Sequence, residues 1–220
     1  MVILGEVEGH RRRFLGLLKG NEKRSMTSIA NICRDAVALF AACLAITMKA
    51  DAASERILFD FRAGTNSPGW QVVNDDVMGG ISTSQFQVLT NGGALFSGVV
   101  SLENNGGFAS VRSSVLRESL SGCKAFVLRV RGDGKRYKFT VRTQSGFNAP
   151  NYQAEFMTKR GEWEEHRLAF KDFVPTFRGR VLTGVPPLSA AEITSLGVLI
   201  ADQQSGPFQL EFGWMKAATR

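Results

Sequence analysis

The chain is poor in the side chains that carry most enzyme chemistry. Its 220 residues include only 2 histidines, 3 cysteines and 2 tyrosines. Only His166 lies beyond the amino-terminal region, and nothing around it resembles a nucleophile elbow, so a strand histidine at a sheet edge is the simpler interpretation. No histidine and cysteine cluster has zinc-site spacing, and no glycine-rich loop precedes a helix to hold phosphate. We therefore expect a non-enzyme without catalytic residues, metal or cofactor.

Long apolar runs are also missing. The run from Ala36 to Met48 is too short to span a membrane comfortably, but it has the length of a signal-peptide core. Ala50-Asp51-Ala52 follows with the small-x-small pattern that signal peptidase recognises. The sequence therefore predicts a leader over residues 1–52 with an apolar core at 36–48, cleaved after Ala52. A periplasmic or secreted domain over 53–220 would follow, membrane-proximal rather than membrane-spanning.

Two alternatives for the leader stay open. A lipoprotein would be acylated at Cys43, but the apolar run continues beyond that residue. A mitochondrial transit peptide would be poor in acidic residues, whereas several lie in this region. A translation start at Met26 would give a signal of the usual length, so residues 1–25 are a candidate for a misassigned gene start.

Cysteine and charge content limit the remaining classes. Cleavage after Ala52 would leave Cys123 alone, so no internal disulfide could form, and a small buried hydrophobe is its expected role. The formal net charge of +7 is shared with the leader. The basic excess left to residues 53–220 is too small to argue for nucleic acid.

Short runs of β-forming residues recur from Ile57 onward, separated by turn residues. Asn91-Gly92-Gly93 and Asp133-Gly134 have the composition of hairpin turns. One short helix is expected at 189–192, where Ser189 and Glu192 have capping-box spacing. This pattern predicts an all-β sandwich or barrel, formed by a single domain over 53–220. The expected strands are 57–61, 85–89, 94–102, 108–113, 125–131, 136–143, 152–158, 163–170, 196–201 and 208–215.

The Asp133-Gly134 turn can be extended into a strand register. If these residues form a two-residue loop, Val130 faces Tyr137 and the neighbouring pairs make one apolar face. The opposite face would then carry the basic residues Arg129, Arg131, Arg136, Lys138 and Arg142. Either acidic residues of later strands, such as Glu155, neutralise this face in solvent, or it binds an anion. The solvated face is the simpler interpretation.

The segment from Trp70 to Ser82 has the composition of a rim loop of a β-domain. An aromatic residue and two valines lead into Asn74-Asp75-Asp76, and Met78-Gly79-Gly80 follows. Adjacent aspartates of an extended chain point to opposite sides, which argues against a catalytic carboxylate pair. Their oxygens could hold a structural calcium ion, but hydrogen bonding to the local backbone is the simpler explanation.

Aromatic side chains are candidates for ligand contacts. Burial in the core is the default expectation for Tyr152, Trp163 and Trp214. Trp70 and Phe108 differ because both lie beside turns rich in glycine and asparagine.

Several motifs in order resemble the complex I intermediate-associated protein 30 family. The matching segments are Trp70 with 74–82, Phe96-Ser97-Gly98, 104–110, 130–134 with Tyr137, 163–170, 173–179 and Gly206-Pro207-Phe208. The resemblance covers nearly all of residues 53–220. It implies a galactose-binding-like jelly roll without established catalytic activity. Mitochondrial members act as chaperones in building the membrane arm of NADH:ubiquinone oxidoreductase.

Two functions are therefore expected. The first is a non-catalytic assembly factor that binds subunits of a membrane or envelope complex, such as a respiratory one. Its contact candidates are Trp70, Asn74, Asp75, Asp76, Met78, Asn104, Asn105 and Phe108. The second is a carbohydrate-binding module of the cell envelope, with Trp70, Tyr152, Arg129 and Arg131 as stacking and hydrogen-bonding candidates.

The four glycines of the two loops are expected to be structural. Gly79, Gly80, Gly106 and Gly107 would permit tight turns or close approach of the two loops. Hydrogen bonds from Asn74, Asp75, Asn104 and Asn105 would tie the loops together. A braced frame and a recognition surface built from the same loops are both consistent with the sequence.

Overall fold

The structure is a computed structural model and describes residues 54–61, 69–90, 92–143 and 150–219. All of them belong to one compact unit, residues 53–220. The predicted leader lies outside the described residues. Within the described ranges, no helix is both long and apolar enough to cross a membrane.

The described part of the chain is built from strands and short 3₁₀ turns. Its strands are β1 (Glu55–Asp60), β2 (Gln71–Asn74), β3 (Thr83–Val88), β4 (Ala94–Val100), β5 (Ala109–Arg112), β6 (Ala125–Arg131), β7 (Arg136–Arg142), β8 (Asn151–Met157), β9 (Trp163–Ala169), β10 (Val174–Phe177), β11 (Arg180–Val181), β12 (Ser195–Ile200) and β13 (Gly206–Ala218). The 3₁₀ turns are Asp75–Met78, Glu103–Asn105, Phe170–Asp172 and Ala190–Glu192.

The strands form two antiparallel sheets. The six-stranded sheet has the order β3-β4-β13-β6-β9, with β1 also paired to β13. The seven-stranded sheet has the order β11-β10-β8-β7-β12-β5-β2. Their inner faces pack together, as the ring contact between Phe126 of β6 and Phe139 of β7, 5.0 Å between centroids, illustrates. The alternation of buried and less buried residues along β7 is typical of a strand with one face on such a core.

The predicted hairpin at Asp133-Gly134 is wrong. β6 pairs with β13 and β9 in the six-stranded sheet, whereas β7 pairs with β8 and β12 in the other sheet. The chain therefore crosses from one sheet to the other at 132–135. Asp133 accepts hydrogen bonds there from the Lys135 amide and the Tyr137 hydroxyl, both 3.1 Å. Alternating apolar residues bury equally well when two strands face each other across a core, so the pattern does not distinguish the two arrangements.

The structure also tests the predictions for the second turn, the strands, the short helix and Cys123. The predicted hairpin between β3 and β4 is confirmed, because the two strands pair and the Leu89 amide donates to the Gly93 carbonyl at 2.9 Å, while Asn91 lies outside the described residues. The sequence did not predict three of the strands, namely β2, β10 and β11. The expected helix at 189–192 is a single 3₁₀ turn without a side-chain cap. Cys123 is partly buried against the core and is a free cysteine within the described ranges.

Candidate functional site

A cleft of about 420 Å³ lies on the outer face of the seven-stranded sheet. Its floor consists of side chains that alternate with core residues along β5, β7 and β8: Ser110, Arg112, Lys138, Thr140, Arg142, Asn151 and Gln153. One wall is the 3₁₀ turn Asp75–Met78, which contributes Val77 and Met78. The opposite wall is the turn after β10, with Phe177, Arg178 and Gly179. The cleft therefore crosses several strands and is closed by loops from distant parts of the chain.

Gly197 is closely packed between the two neighbouring strands. It lies on β12, paired with Arg112 on one side and with Thr140 on the other. A Cβ atom at this position would lie 2.6 Å from the Thr140 hydroxyl oxygen and 2.7 Å from the Val111 carbonyl oxygen. A side chain here would therefore have to displace its neighbours.

The basic side chains of the floor differ in their ion pairs and hydrogen bonds. Lys138 pairs with Asp202 at 2.7 Å and with Glu155 at 3.5 Å. The Arg142 Nε donates to the Asn151 side-chain oxygen at 2.8 Å. Arg112 forms no hydrogen bond or ion pair through its guanidinium within the part of the chain that the structure describes. Burial, followed by the charge of Arg142, lowers the pKa of Arg112.

Asp75 braces the wall that carries Val77 and Met78. Its carboxylate is fully buried and accepts hydrogen bonds from the backbone amides of Ser82 (2.9 Å), Gly107 (2.7 Å) and Phe108 (3.2 Å), and from the Ser82 hydroxyl. Burial raises the pKa of Asp75, but these hydrogen bonds outweigh burial and hold the pKa below its ordinary value. This carboxylate therefore joins the segments 75–82 and 101–108 into one frame.

The same donors do not fit the calcium alternative. The Asp75 oxygens face N–H and O–H groups, which would have to be displaced before a cation could approach. Within the described residues no group of three or more histidine, cysteine, aspartate or glutamate side chains could hold a metal.

The loop glycines permit this close packing. A Cβ atom on Gly80 would lie 2.4 Å from the Asp75 carboxylate, and one on Gly106 would lie 2.7 Å from it. Gly79 and Gly107 have φ of +91° and +132°, which side chains rarely adopt. All four positions thus have a structural reason for glycine.

The other loop candidates lie around this frame. Asp76 and Met78 are exposed, and Phe108 lines the cleft. Asn104 and Asn105 are exposed and adopt left-handed backbone conformations. Asn74 accepts a hydrogen bond from the Ser84 hydroxyl at 2.6 Å. The partners that join the two loops are thus Asp75 and backbone amides, not the three asparagine side chains.

Two aromatic candidates pack inside the domain. Trp70 stacks on Phe86, 5.0 Å between ring centroids, and contacts Phe59. Tyr152 is only 5% exposed and donates its hydroxyl hydrogen to the Pro186 carbonyl at 2.9 Å. The inward packing of Tyr152 leaves no ring face for a sugar, so its predicted stacking role is not supported.

The predicted five-residue basic face is wrong because its members lie on different sheets. Arg129 and Arg131 lie on the outer face of the six-stranded sheet, where their guanidinium carbons are 5.4 and 5.1 Å from the centroid of the Trp163 ring. Arg131 pairs with Glu211 at 2.7 Å, and Arg129 with Glu165 at 3.5 Å. These arginines therefore lie away from the cleft and have local acidic partners.

His166 offers no general base in the cleft. It lies on β9, an edge strand of the six-stranded sheet, as the sequence predicted. It packs against Phe156 and has a buried Nε2 without a hydrogen-bond partner. Burial lowers the pKa of His166, although Glu164 opposes this shift.

Arg112 was not among the site residues predicted from the sequence. The available signal was the alternation within the predicted strand 108–113, which places Ser110 and Arg112 on one face. The position of that face beside β7 and β8 depends on β12, a strand far away in sequence.

Comparison with known sequences identifies relatives of the chain. The family model of complex I intermediate-associated protein 30 matches residues 59–212. The mitochondrial complex I intermediate-associated protein 30 of Mus musculus is 28% identical over 184 residues, covering 74% of this chain and 56% of that protein. The protein of the same name from Drosophila melanogaster is 26% identical over 181 residues, covering 72% of this chain and 61% of that protein. The chain thus spans only somewhat more than half the length of these relatives.

Comparison with solved structures confirms the fold class. The family 11 carbohydrate-binding module of a cellulosomal cellulase of Clostridium thermocellum aligns with a TM-score of 0.56 and 17% identity, over 75% of this chain and 95% of that module. The family 11 module of Clostridium thermocellum in complex with a β-1,3-1,4-mixed-linked tetrasaccharide aligns with a TM-score of 0.55 and 15% identity. This alignment covers 76% of this chain and 96% of that module. The domain is an all-β jelly-roll sandwich of galactose-binding-like type.

The prediction of a periplasmic or secreted location is wrong. The relatives are named as mitochondrial proteins. A short apolar run followed by small residues does not separate the classes of leader, which is why the pattern misled. Because the family model matches residues 59–212 of 220, the chain belongs to the complex I intermediate-associated protein 30 family.

Proposed function

We propose that the chain is a non-catalytic binding domain that assists the assembly of a membrane protein complex, complex I by family membership. The observation that carries the proposal is the origin of the cleft wall. The segments 74–82 and 104–110, on which the family resemblance rests, are the segments that Asp75 joins beside the cleft. The family motif thus builds a recognition surface rather than a reaction centre.

The exposed side chains of this wall suit a protein partner. Val77 is 54% and Met78 57% exposed, although both belong to a turn anchored by a buried carboxylate. Because the turn is already held in place, a partner that covers these side chains does not have to order the backbone beneath them. Methionine in addition adapts its shape to different apolar surfaces.

Recovery of the tagged full chain from its native host, after mild crosslinking and membrane solubilisation, tests the proposal. Mass spectrometry should find subunits of complex I enriched with the wild-type chain. The double variant Val77→Ser/Met78→Ser should lose most of this recovery. Val88→Ser/Val99→Ser is the matched control, because those valines are also exposed, at 40% and 48%, but lie on the six-stranded sheet. Recovery without complex I subunits, or equal loss in both variants, would contradict the proposal.

A carbohydrate-binding role is the second candidate function. It is favoured by the shared fold with family 11 carbohydrate-binding modules and by hydrogen-bonding side chains in the cleft floor, such as Asn151 and Gln153. The rings that line the cleft are those of Phe108 and Phe177. Calorimetric titration with the β-1,3-1,4-mixed-linked tetrasaccharide is the direct test. Saturable heat that disappears in Gln153→Ala would move the assignment to this candidate.

A further inference from the structure

Among the described residues that line the cleft, basic side chains outnumber acidic ones. Among the lining residues the basic ones are Arg112, Lys138, Arg142 and Arg178, and the acidic one is Asp202. Asp202 lies 2.7 Å from Lys138 and 3.6 Å from Arg136, so its charge is already shared. Arg112 and Arg178 are therefore the lining arginines that carry the excess of charge.

Arg112 is the centre of this excess. It is half-buried, lies near the like charge of Arg142, and has no acidic partner within the described ranges. A partly desolvated guanidinium that lacks a carboxylate is costly, and a neighbouring cation adds to the cost. Arg112 itself lines the open cleft. An anion placed there would contact a guanidinium that has no competing internal partner.

A third arginine stands on the wall. Arg178 adopts a left-handed backbone conformation with φ of +47°, and its guanidinium lies 5.2 Å from the centroid of the Phe177 ring. The ring contact restricts the side chain at the mouth of the cleft. Positive charge thus borders the cleft on its floor and on one wall.

The opposite wall is apolar. Val77 and Met78 are more than half exposed and face the cleft together with Phe108. A ligand that fills the cleft must therefore offer an anionic group and aliphatic or aromatic groups within a few ångströms of each other. Peptides combine these groups in neighbouring residues, and about 420 Å³ accommodates a few side chains.

We propose that the cleft binds an acidic segment of the protein partner, with a carboxylate held by Arg112 and Arg142 and an apolar side chain against Val77 and Met78. This inference rests on the proposed assembly function, because it names the part of the client that is recognised. Arginine guanidinium groups suit this role because they bind carboxylates through two parallel hydrogen bonds.

Selection from a random 12-residue peptide library against the full chain tests the inference without any assumption about the client. Selected peptides should be enriched in aspartate or glutamate next to leucine, methionine or phenylalanine. Replacing their acids by the corresponding amides should weaken binding at least about tenfold, since a charge-assisted pair is lost. Raising the salt concentration should weaken binding in the same direction.

Variants of the protein locate the site. Arg112→Gln should weaken the selected peptides at least about tenfold, and Arg112→Lys should weaken them less, because it keeps the charge but loses the paired hydrogen bonds. Arg167→Gln is the matched control, since Arg167 is an exposed arginine of β9 on the six-stranded sheet. Each variant is first shown to unfold cooperatively at a temperature within a few degrees of the wild type, about the range that a surface substitution allows.

The outcomes separate the inference from the proposed function. No selected peptide, no enrichment in acids, or equal binding by Arg112→Gln would overturn the acidic-segment site. Binding of a uronic-acid oligosaccharide that depends on Arg112, without any selected peptide, would also overturn it and assign the cleft to an anionic sugar. Loss of peptide binding in Arg112→Gln supports the inference even if complex I subunits are not recovered, and that second result would count against the assembly function alone.

Discussion

Arginines on the outer faces of the two sheets differ in whether they have acidic partners. On the six-stranded sheet Arg131 pairs with Glu211, Arg129 pairs with Glu165, and both arginines lie close to the Trp163 ring. On the seven-stranded sheet Arg112 lies half-buried near Arg142 without an acidic partner within the described residues. Arg129 and Arg131 thus have local acidic partners, whereas Arg112 has none among those residues. The difference supports the proposal that the domain meets its partner on the seven-stranded sheet.

The frame that closes the cleft is expected to be the most sensitive feature. Asp75→Ala removes a buried acceptor from three backbone amides and a hydroxyl. Because hydrogen bonds to a charged group contribute about 1.5–3 kcal/mol each and buried donors are left unpaired, we expect the free energy of unfolding to fall by about 3–5 kcal/mol. Urea denaturation of the full chain measures it.

A second substitution at the same position provides the control. Asp75→Asn keeps the shape of the side chain but removes its charge and one acceptor, so a smaller loss of stability is expected. A loss below about 1 kcal/mol for Asp75→Ala would contradict the assignment of this carboxylate as the brace of the cleft wall.

Acid should weaken the same frame. The folded-state pKa of Asp75 lies below its ordinary value of 3.8, so this group contributes stability at pH values above 3.8. That contribution is lost as the pH falls from there through the lower folded-state pKa. Unfolding free energies measured at a series of pH values should therefore fall more steeply in this window for the wild type than for Asp75→Asn. Identical slopes for the two proteins would show that Asp75 does not titrate with folding.

A glycine on each outer face allows the sheets to be compared directly. At Gly197 of the seven-stranded sheet, a Cβ atom would meet the Thr140 hydroxyl and a backbone carbonyl. At Gly213 of the six-stranded sheet it would lie 3.3 Å from the flexible side chain of Arg129. Gly197→Ala should therefore cost about 2 kcal/mol in urea unfolding, while Gly213→Ala should change stability by less than about 1 kcal/mol. Equal costs would mean that the cleft floor is no tighter than the opposite face.

The sequence was sufficient for the class of fold and for the hairpin between β3 and β4. Alternation of apolar residues located β6 and β7 correctly along the chain, but it could not determine whether they pair edge to edge or face each other across the core. That choice depends on β12 and β13, which come last in the chain and supply the neighbours of both strands. Pairing that is non-local in sequence leaves little trace in a local pattern.

The candidate site likewise has one part that the sequence could predict and one part that it could not. The Asp75 loop and its glycines could be selected from the sequence because turn chemistry is local. The floor could not be selected, since Arg112, Arg142 and Asn151 belong to strands that only the sheet order brings together. Arg129 and Arg131 were chosen for their charge, and the structure places them where glutamates already satisfy that charge.

The smallest expected effect is the sharpest test of the opening comparison. Arg131→Gln removes an ion pair with a glutamate whose side chain is mostly buried, so it should lower the free energy of unfolding by about 0.5–1 kcal/mol. Arg112→Gln removes a half-buried charge without an acidic partner and relieves repulsion from Arg142, so stability should stay the same or rise. Urea unfolding of the two variants beside the wild type decides the matter, and raised salt should shrink the difference because both effects are electrostatic. A destabilised Arg112→Gln would mean that this arginine serves the fold, and the charge in the cleft would then no longer argue for a ligand.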